Sequence, residues 1–231
     1  MQSTPESKDV IAQLGATAQN ISTLVEQLLE VSRIETGHLD VKMENVNVTE
    51  LFNELAAEFA PVAATKGFFF LTRPLPLTVY TDPLFVKRIL TNLITNAIRY
   101  SQKPGSKIVL AARRLRNGRI TIGVYDQGPG IASEERHRIF DAFYRGEASK
   151  TAETGYGLGL SIVSGLAKRL GIPITVGSRF GHGSVFRLEF ANVKNAHAEH
   201  AGDGLPLTTD LDMRGVVGVL EDNDIVRNAV S

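Results

Sequence analysis

The sequence contains no cysteine, no excess of charge of either sign, and no apolar run long enough to cross a bilayer. Each absence removes a class of protein. Without thiols there is neither a disulfide framework nor a thiolate metal site, which fits a reducing compartment. Basic and acidic residues number 25 each. A protein that binds nucleic acid non-specifically carries a basic surplus, so nucleic acid is not expected as a partner. A spanning helix needs about 18 consecutive apolar residues, and the first residues also lack the basic and apolar regions of a secretory signal. A soluble, cytoplasmic chain is expected. What is present is ordinary for a globular protein: 231 residues, 43% hydrophobic and 22% charged, enough for one well-buried domain with appendages.

Residues 6–36 contain no proline and read as one helix that stops at Gly37. Val10, Leu14, Thr17, Ile21, Leu24, Leu28 and Val31 follow alternating steps of four and three, a heptad seam with one polar member. One helix cannot bury such a stripe alone, so a partner helix is required. The text then turns to mixed α/β. A helix is expected over 49–61, and short strands over 68–72 and 77–80 around Pro74 and Pro76. Asp82 and Pro83 open a helix carrying Phe85, Ile89, Leu93 and Ala97, which ends within 101–105. Runs 107–115 and 119–125 flank Arg116-Asn117-Gly118 and read as a hairpin, because Asn-Gly supplies the positive φ angles of a tight turn. A helix over 160–170 and strands over 174–178 and 184–190 follow. Residues 192–214 lack periodicity and read as a linker, and 216–220 is a strand-like apolar run before Glu221-Asp222-Asn223-Asp224.

Three segments carry candidate chemistry. Asn92 and Asn96 lie four apart on one helix face, with Arg99 and Tyr100 at the next turn. Amide oxygens, a cation and a phenol together suit a hydrated Mg²⁺ and phosphates, although a solvated helix face has the same composition. Asp126-Gln127-Gly128-Pro129-Gly130-Ile131 follows a β-patterned run. A carboxylate there can accept from an exocyclic amine while glycine lets the backbone pass close to a flat ring, and a plain Gly-Pro-Gly turn is the competing account. Gly155-Tyr156-Gly157-Leu158-Gly159-Leu160 runs into a helix N-terminus, where free N–H groups and the dipole favour an anion. No Gly-Lys-Ser/Thr closes that loop and no single Rossmann unit surrounds it, so its phosphate-binding mode is another one.

The order of these segments resembles the sensor histidine kinases. Asn92-Leu93-Ile94-Thr95-Asn96-Ala97-Ile98-Arg99-Tyr100-Ser101 looks like their asparagine box, and the segment from Asp126 like their first glycine box. Ile139-Phe140-Asp141-Ala142-Phe143-Tyr144-Arg145 is similar to the phenylalanine box, Gly155 to Leu160 to the second glycine box, and Gly181-His182-Gly183-Ser184-Val185-Phe186 to the last one. The resemblance covers about residues 45–190. It implies an α+β fold, a two-layer α/β sandwich with a mixed sheet covered on one face by helices, preceded by one long helix of a dimerisation bundle. Leu28-Leu29-Glu30-Val31-Ser32-Arg33-Ile34-Glu35-Thr36-Gly37 looks like the end of that bundle's second helix, and 216–224 like the opening strand and acidic pocket of a receiver domain, as in a hybrid kinase. The implied division is 1–40 for the bundle remnant, 41–191 for the ATP-binding catalytic domain, 192–214 for the linker and 215–231 for the start of a receiver.

By the same resemblance, the cofactors are ATP and Mg²⁺. Asn96 holds the metal, and Asn92 and Asn96 form the catalytic pair. Asp126 binds the adenine amine, and Arg99 and Tyr100 contact phosphate or ribose. Gly157, Leu158 and Gly159 hold the phosphates, with Gly128, Gly130, Ile131, Tyr144, Arg145, Gly155, Tyr156, Leu160 and Ser184 completing the ATP site. Residues 146–154 form a lid, with Phe140 and Phe143 packing its base. Hydrolytic members of the superfamily place a glutamate general base where Asn92 stands. A neutral amide cannot take a proton from water, so transfer to a protein side chain is expected over hydrolysis. None of His38, His137, His182, His197 and His200 has a phosphoacceptor context, so the acceptor histidine is expected outside this chain, and self-phosphorylation is not expected. The implied partners are that histidine domain, a receiver domain or response regulator, and a second copy of the parent, whose membrane anchorage stays open. Two other functions compete: a silent ATP-sensing scaffold and, behind it, a hydrolytic ATPase.

Overall fold

The computed structural model describes residues 5–37, 39–146, 155–191 and 217–219. It is an α+β sandwich: one face of a mixed sheet carries helices, and no described helix covers the other. The first helix, α1 (Pro5–Glu35), is followed by β1 (Glu44–Asn47), α2 (Val48–Thr65), β2 (Phe69–Arg73), β3 (Thr78–Thr81) and α3 (Pro83–Tyr100). Then come β4 (Lys107–Arg114), β5 (Ile120–Tyr125), α4 (Gly159–Leu170), β6 (Ile174–Arg179), β7 (Gly183–Phe190) and β8 (Val217–Val219). The main sheet runs β2-β4-β5-β7-β6-β8, and β1 with β3 forms a separate pair. Parallel pairing at both edges (β2 with β4, β6 with β8) encloses an antiparallel centre. Val217–Val219 pairs in parallel with β6 at the edge of this sheet.

The helix starts follow the sequence chemistry. Asp82 Oδ1 accepts from the Phe85 N–H and Pro83 occupies the first turn, so α3 begins where the cap and proline demand. The second Asp82 oxygen accepts from Lys42 N–H at 2.7 Å, tying the preceding segment to this helix. Asn47 caps α2 by accepting from Thr49 and Glu50 N–H. This helix continues through Pro61, where the sequence suggested an end, because Phe59 and Ala63 on either side are both buried in the core. Gly171 adopts the left-handed conformation (φ 65°) and stops α4.

The core lies between α2, α3 and α4 and the inner face of the sheet. Phe52, Leu55, Ile89, Leu93, Ile108, Leu110, Ile122 and Ile162 are fully buried there. The β4–β5 hairpin turns on the expected Arg116-Asn117-Gly118, although the positive φ angle falls on the glycine and not on Asn117. Only Gly118 has positive φ (82°), and Leu115 N–H donates to Arg119 C=O across a three-residue loop. A single left-handed glycine closing a three-residue hairpin satisfies the same strand twist.

The apolar seam of α1 divides into two parts. Val31 and Ile34 pack onto the core at α4, where Gly165 leaves room: a Cβ there would meet Ile34 Cγ2 at 2.5 Å. Nearer the N-terminus, Val10, Leu14, Ile21 and Leu28 are exposed. Arg169 then fastens the exit of α1, donating to the Gly37 and Leu39 carbonyls.

Candidate functional site

Two adjoining depressions form between α3, the N-terminus of α4 and the ends of the central strands, sharing Asn96, Tyr100, Ile139, Tyr144 and Leu160. The first is a base-sized pocket. Its floor carries Asp126, Gly130, Ile131 and Ser184, and its rim Tyr144 and Arg145. The second is a polar groove lined by Asn92, Asn96, Arg99 and the whole loop from Gly155 to Leu160. All of the residues expected at a nucleotide site therefore fall on these two surfaces except Gly128, which meets the pocket through Asp126.

Asp126 ends β5 and is held at one oxygen. Its Oδ1 accepts from Gly128 N–H at 2.8 Å and from Ser184 N–H at 3.2 Å, while Oδ2 has no partner among the described residues. Burial pushes the carboxyl up to about 6 from its ordinary 3.8, against the lowering effect of the two backbone donors. At neutral pH the group is therefore mostly ionised, an acceptor on the wall of a mainly apolar cleft whose other polar side chains include Asn96, Glu135, Arg145 and Ser184. Glycine is required around it for steric reasons. A Cβ on Gly128 would come within 2.9 Å of Asp126 Oδ1 and 3.0 Å of the Tyr100 carbonyl. Gly130 has φ 71°, and a Cβ there would strike the Arg179 carbonyl. Gly130→Ala is expected to cost about 1–3 kcal/mol of stability, read from the denaturant midpoint, because it combines a left-handed backbone with a backbone collision.

In the groove, α3 and α4 face each other closely. A Cβ on Gly159 would lie 3.3 Å from Asn92 Oδ1 and 3.7 Å from both side-chain polar atoms of Asn96. Asn92 Nδ2 donates to the Arg88 carbonyl, which leaves its oxygen for the groove. Gly157 has φ 71° and fits against the Phe143–Tyr144 backbone, whose nearest atoms would be 2.7 Å from a Cβ. No side chain caps the start of α4, so its first N–H groups are available to an anion. Arg99 lies against Gly155, adding a cation to the same wall.

Phe140 is buried in the core, whereas Phe143, expected beside it under the lid, is 61% exposed with φ 65°. The close fit of its backbone to Gly157 holds it in that conformation, with Phe143 N–H donating to the Gly157 carbonyl. Lid residues 147–154 lie outside the described residues, as do His38, His197 and His200; His137 and His182 are exposed.

Sequence reasoning missed two contributions. Glu135, on the pocket wall, accepts from the Tyr144 hydroxyl at 3.3 Å. α1 supplies Asn20, Thr23, Glu26 and Gln27 to the far side of the groove. Tyr156 Oη donates to the Asn20 carbonyl, and Glu30 takes Arg88 in a two-pronged ion pair, 2.7 Å at its shortest. A polar face opposite the heptad seam was the available signal for α1, but these contacts span 58 residues for Glu30–Arg88 and 136 for Asn20–Tyr156 and have no local signature.

Comparison with known proteins agrees with this geometry. Residues 81–194 match the model of the family described as histidine kinase-, DNA gyrase B-, and HSP90-like ATPase. The sensor protein GacS of Pseudomonas syringae pv. syringae is 29% identical over 98% of this chain and 25% of its own length. SenX3, a sensor-like histidine kinase of Mycobacterium bovis, is 35% identical over 74% of this chain and 42% of its own. The chain thus spans between a quarter and under half of the curated relatives it matches. Among solved structures, full-length ShkA in complex with AMPPNP superposes with a TM-score of 0.69 at 29% identity, over 84% of this chain and 41% of that one. The catalytic domain of histidine kinase ThkA gives 0.54 at 27%, over 65% and 97%. Residues 81–194 thus belong to the histidine kinase-, DNA gyrase B- and HSP90-like ATPase family, and the relatives that resemble most of this chain are sensor histidine kinases.

Proposed function

We propose that this chain binds Mg-ATP and presents its γ-phosphate to a histidine supplied by another domain. The observation that carries this reading is the pairing of a desolvated Asp126 acceptor in the apolar pocket with the uncapped start of α4 opposite Asn92 and Asn96. Adenine fits the first site because its exocyclic amine would donate to Asp126 Oδ2, and the phosphates fit the second because helix N–H groups and Arg99 attract anions. In this reading Asn96 holds the metal and Asn92 orients the terminal phosphate. Tyr100, Tyr144, Arg145 and Ser184 shape the walls, and residues 146–154 close over the nucleotide.

The described residues contain no cluster of three or more carboxylate or histidine side chains able to cage a metal. They fit an ion that arrives on the nucleotide, because Mg²⁺ keeps waters and phosphate oxygens and needs few protein donors. The neutral oxygens of Asn92 and Asn96 are of the right chemistry; the ion, when bound, would neutralise phosphate charge. With an amide at position 92, the groove has no base on that turn of α3 to activate water, which favours transfer over hydrolysis.

The acceptor domain, the second copy of the parent and the regulator are parts of the same proposal. The division at 1–40, 41–191, 192–214 and 215–231 also belongs to it, as does a cytoplasmic setting; no described helix is long and apolar enough to cross a membrane. The structure of ThkA with the response regulator TrrA gives the partner class a precedent in another protein. Calorimetry with ATP and GTP tests the site. ATP should bind at least tenfold more tightly, since guanine would set a carbonyl oxygen against Asp126, and equal affinity would remove the adenine assignment.

A further inference from the structure

The face of the sheet that no described helix covers differs from the rest of this electrically neutral chain. Strand alternation places Leu71, Val109, Tyr125 and Val185 in one row across it, with Ala111 and Gly123 in the next. Val109, Ala111, Tyr125 and Val185 are nonetheless buried. Their cover is arginine: the Arg113 and Arg187 guanidinium groups lie 5.9 and 5.5 Å from the centre of the Tyr125 ring. Gly123 permits this arrangement, since a Cβ there would meet the Tyr125 ring at 3.0 Å. The exposed Arg113 stem thus shields the apolar row and carries its charge outward, whereas the half-buried Arg187 lays its guanidinium on the ring with Nη1 turned inward.

By the same alternation Arg73, Lys107 and Arg179 also belong to this face, and Arg119 stands at its hairpin end. The only acid on these strand faces among the described residues is Glu189, which is already paired with Arg119 at 3.1 Å. The cationic field is bracketed by two apolar side chains of the same face, Phe69 at one end (59% exposed) and Leu115 at the other (37% exposed).

We propose that this open face docks on an anionic lipid bilayer. A sheet face is broad enough to meet a planar surface with several cations at once, and apolar groups at its ends would enter the headgroup region. A single-stranded nucleic acid fits less well, because stacking needs a bare aromatic platform and Tyr125 lies beneath arginines. The inference does not depend on the nucleotide chemistry, since β5 carries Asp126 at one end and the arginine-rich hairpin at the other.

The test is co-sedimentation of the full chain with vesicles of phosphatidylcholine alone or mixed with phosphatidylglycerol, at low and raised salt. Binding should appear only with the anionic lipid and fade with salt. Arg73→Gln with Arg113→Gln should weaken it about 30-fold, and Phe69→Ser a few-fold, at roughly the strength expected per basic or apolar contact. Lys42→Gln with Lys168→Gln, which removes equal charge from the helical side, should change it little. Melting temperature and ATP affinity check that each variant is folded. Equal binding to both vesicle types overturns the proposal, as does an equal loss in the two double variants. Capture of a DNA duplex or of polyglutamate under conditions that leave vesicles unbound would assign the face to a different partner and also overturn it.

Discussion

Asp126→Asn is expected to lower ATP affinity by about 10- to 100-fold while making the empty domain more stable. Both effects come from the same carboxylate. In the wild type Oδ1 accepts from Gly128 and Ser184 N–H, and an asparagine oxygen can keep both bonds. The amide nitrogen then replaces Oδ2 and turns a donor toward the adenine amine, so a charge-assisted bond becomes a donor–donor contact, a loss of about 1.5–3 kcal/mol. For stability the sign is opposite. The folded-state carboxyl titrates at about 6 against an ordinary 3.8, so the native state holds its proton more tightly than the unfolded chain. This contribution is fully present below about 4, falls as pH rises through about 6, and is absent above. Asparagine never ionises and avoids the loss, a gain of about 1–3 kcal/mol at neutral pH. Subtracting the stability of the wild type from that of Asp126→Asn, from pH 4 to 7.5 or thereabouts, isolates the group. A flat difference would mean that Asp126 is not held in a desolvated pocket.

Asn96→Ala should reduce the rate of phosphate transfer by about 100- to 1,000-fold, the usual cost of deleting one oriented polar group that meets developing charge. Nucleotide affinity should fall much less, because Asp126, Arg99 and the start of α4 are untouched. The variant also keeps its fold, since Asn96 is half-buried on the groove side of α3 and Leu93 and Ala97 hold the core side. Single-turnover rates with saturating ATP separate the two effects, and an affinity loss as large as the rate loss would demote Asn96 to a binding residue.

Both variants rest on positions that were legible in the sequence, and the reason is local. The Asp82-Pro83 start of α3, the Gly37 stop after α1 and the Asn-Gly hairpin each encode a backbone event within a few residues. Once those elements are set, the spacing of Asn92 and Asn96 on one helix face and of Asp126 at a strand end follows directly. What was not legible depends on distance. β1 is only four residues long with one buried side chain, Val46, so alternation has nothing to register. Pro61 looked like a terminator because propensity favours a stop, yet burial of Phe59 and Ala63 outweighs it. The wall that α1 lends to the groove, through Asn20, Glu26 and the Glu30–Arg88 pair, joins residues far apart in the chain. The exposed Phe143 records the demand of Gly157 for backbone contact, which no hydrophobic pattern predicts.

The central claim is that this groove hands phosphate to a histidine outside the chain, and one incubation tests it most directly. The purified chain, γ-phosphate-labelled ATP, Mg²⁺ and a separately expressed histidine-bearing phosphotransfer domain are mixed, and the label is followed by its stability to acid and alkali. The account predicts acid-labile, alkali-stable label on the added domain and none on this chain alone. Steady release of inorganic phosphate with the added domain unlabelled would contradict it.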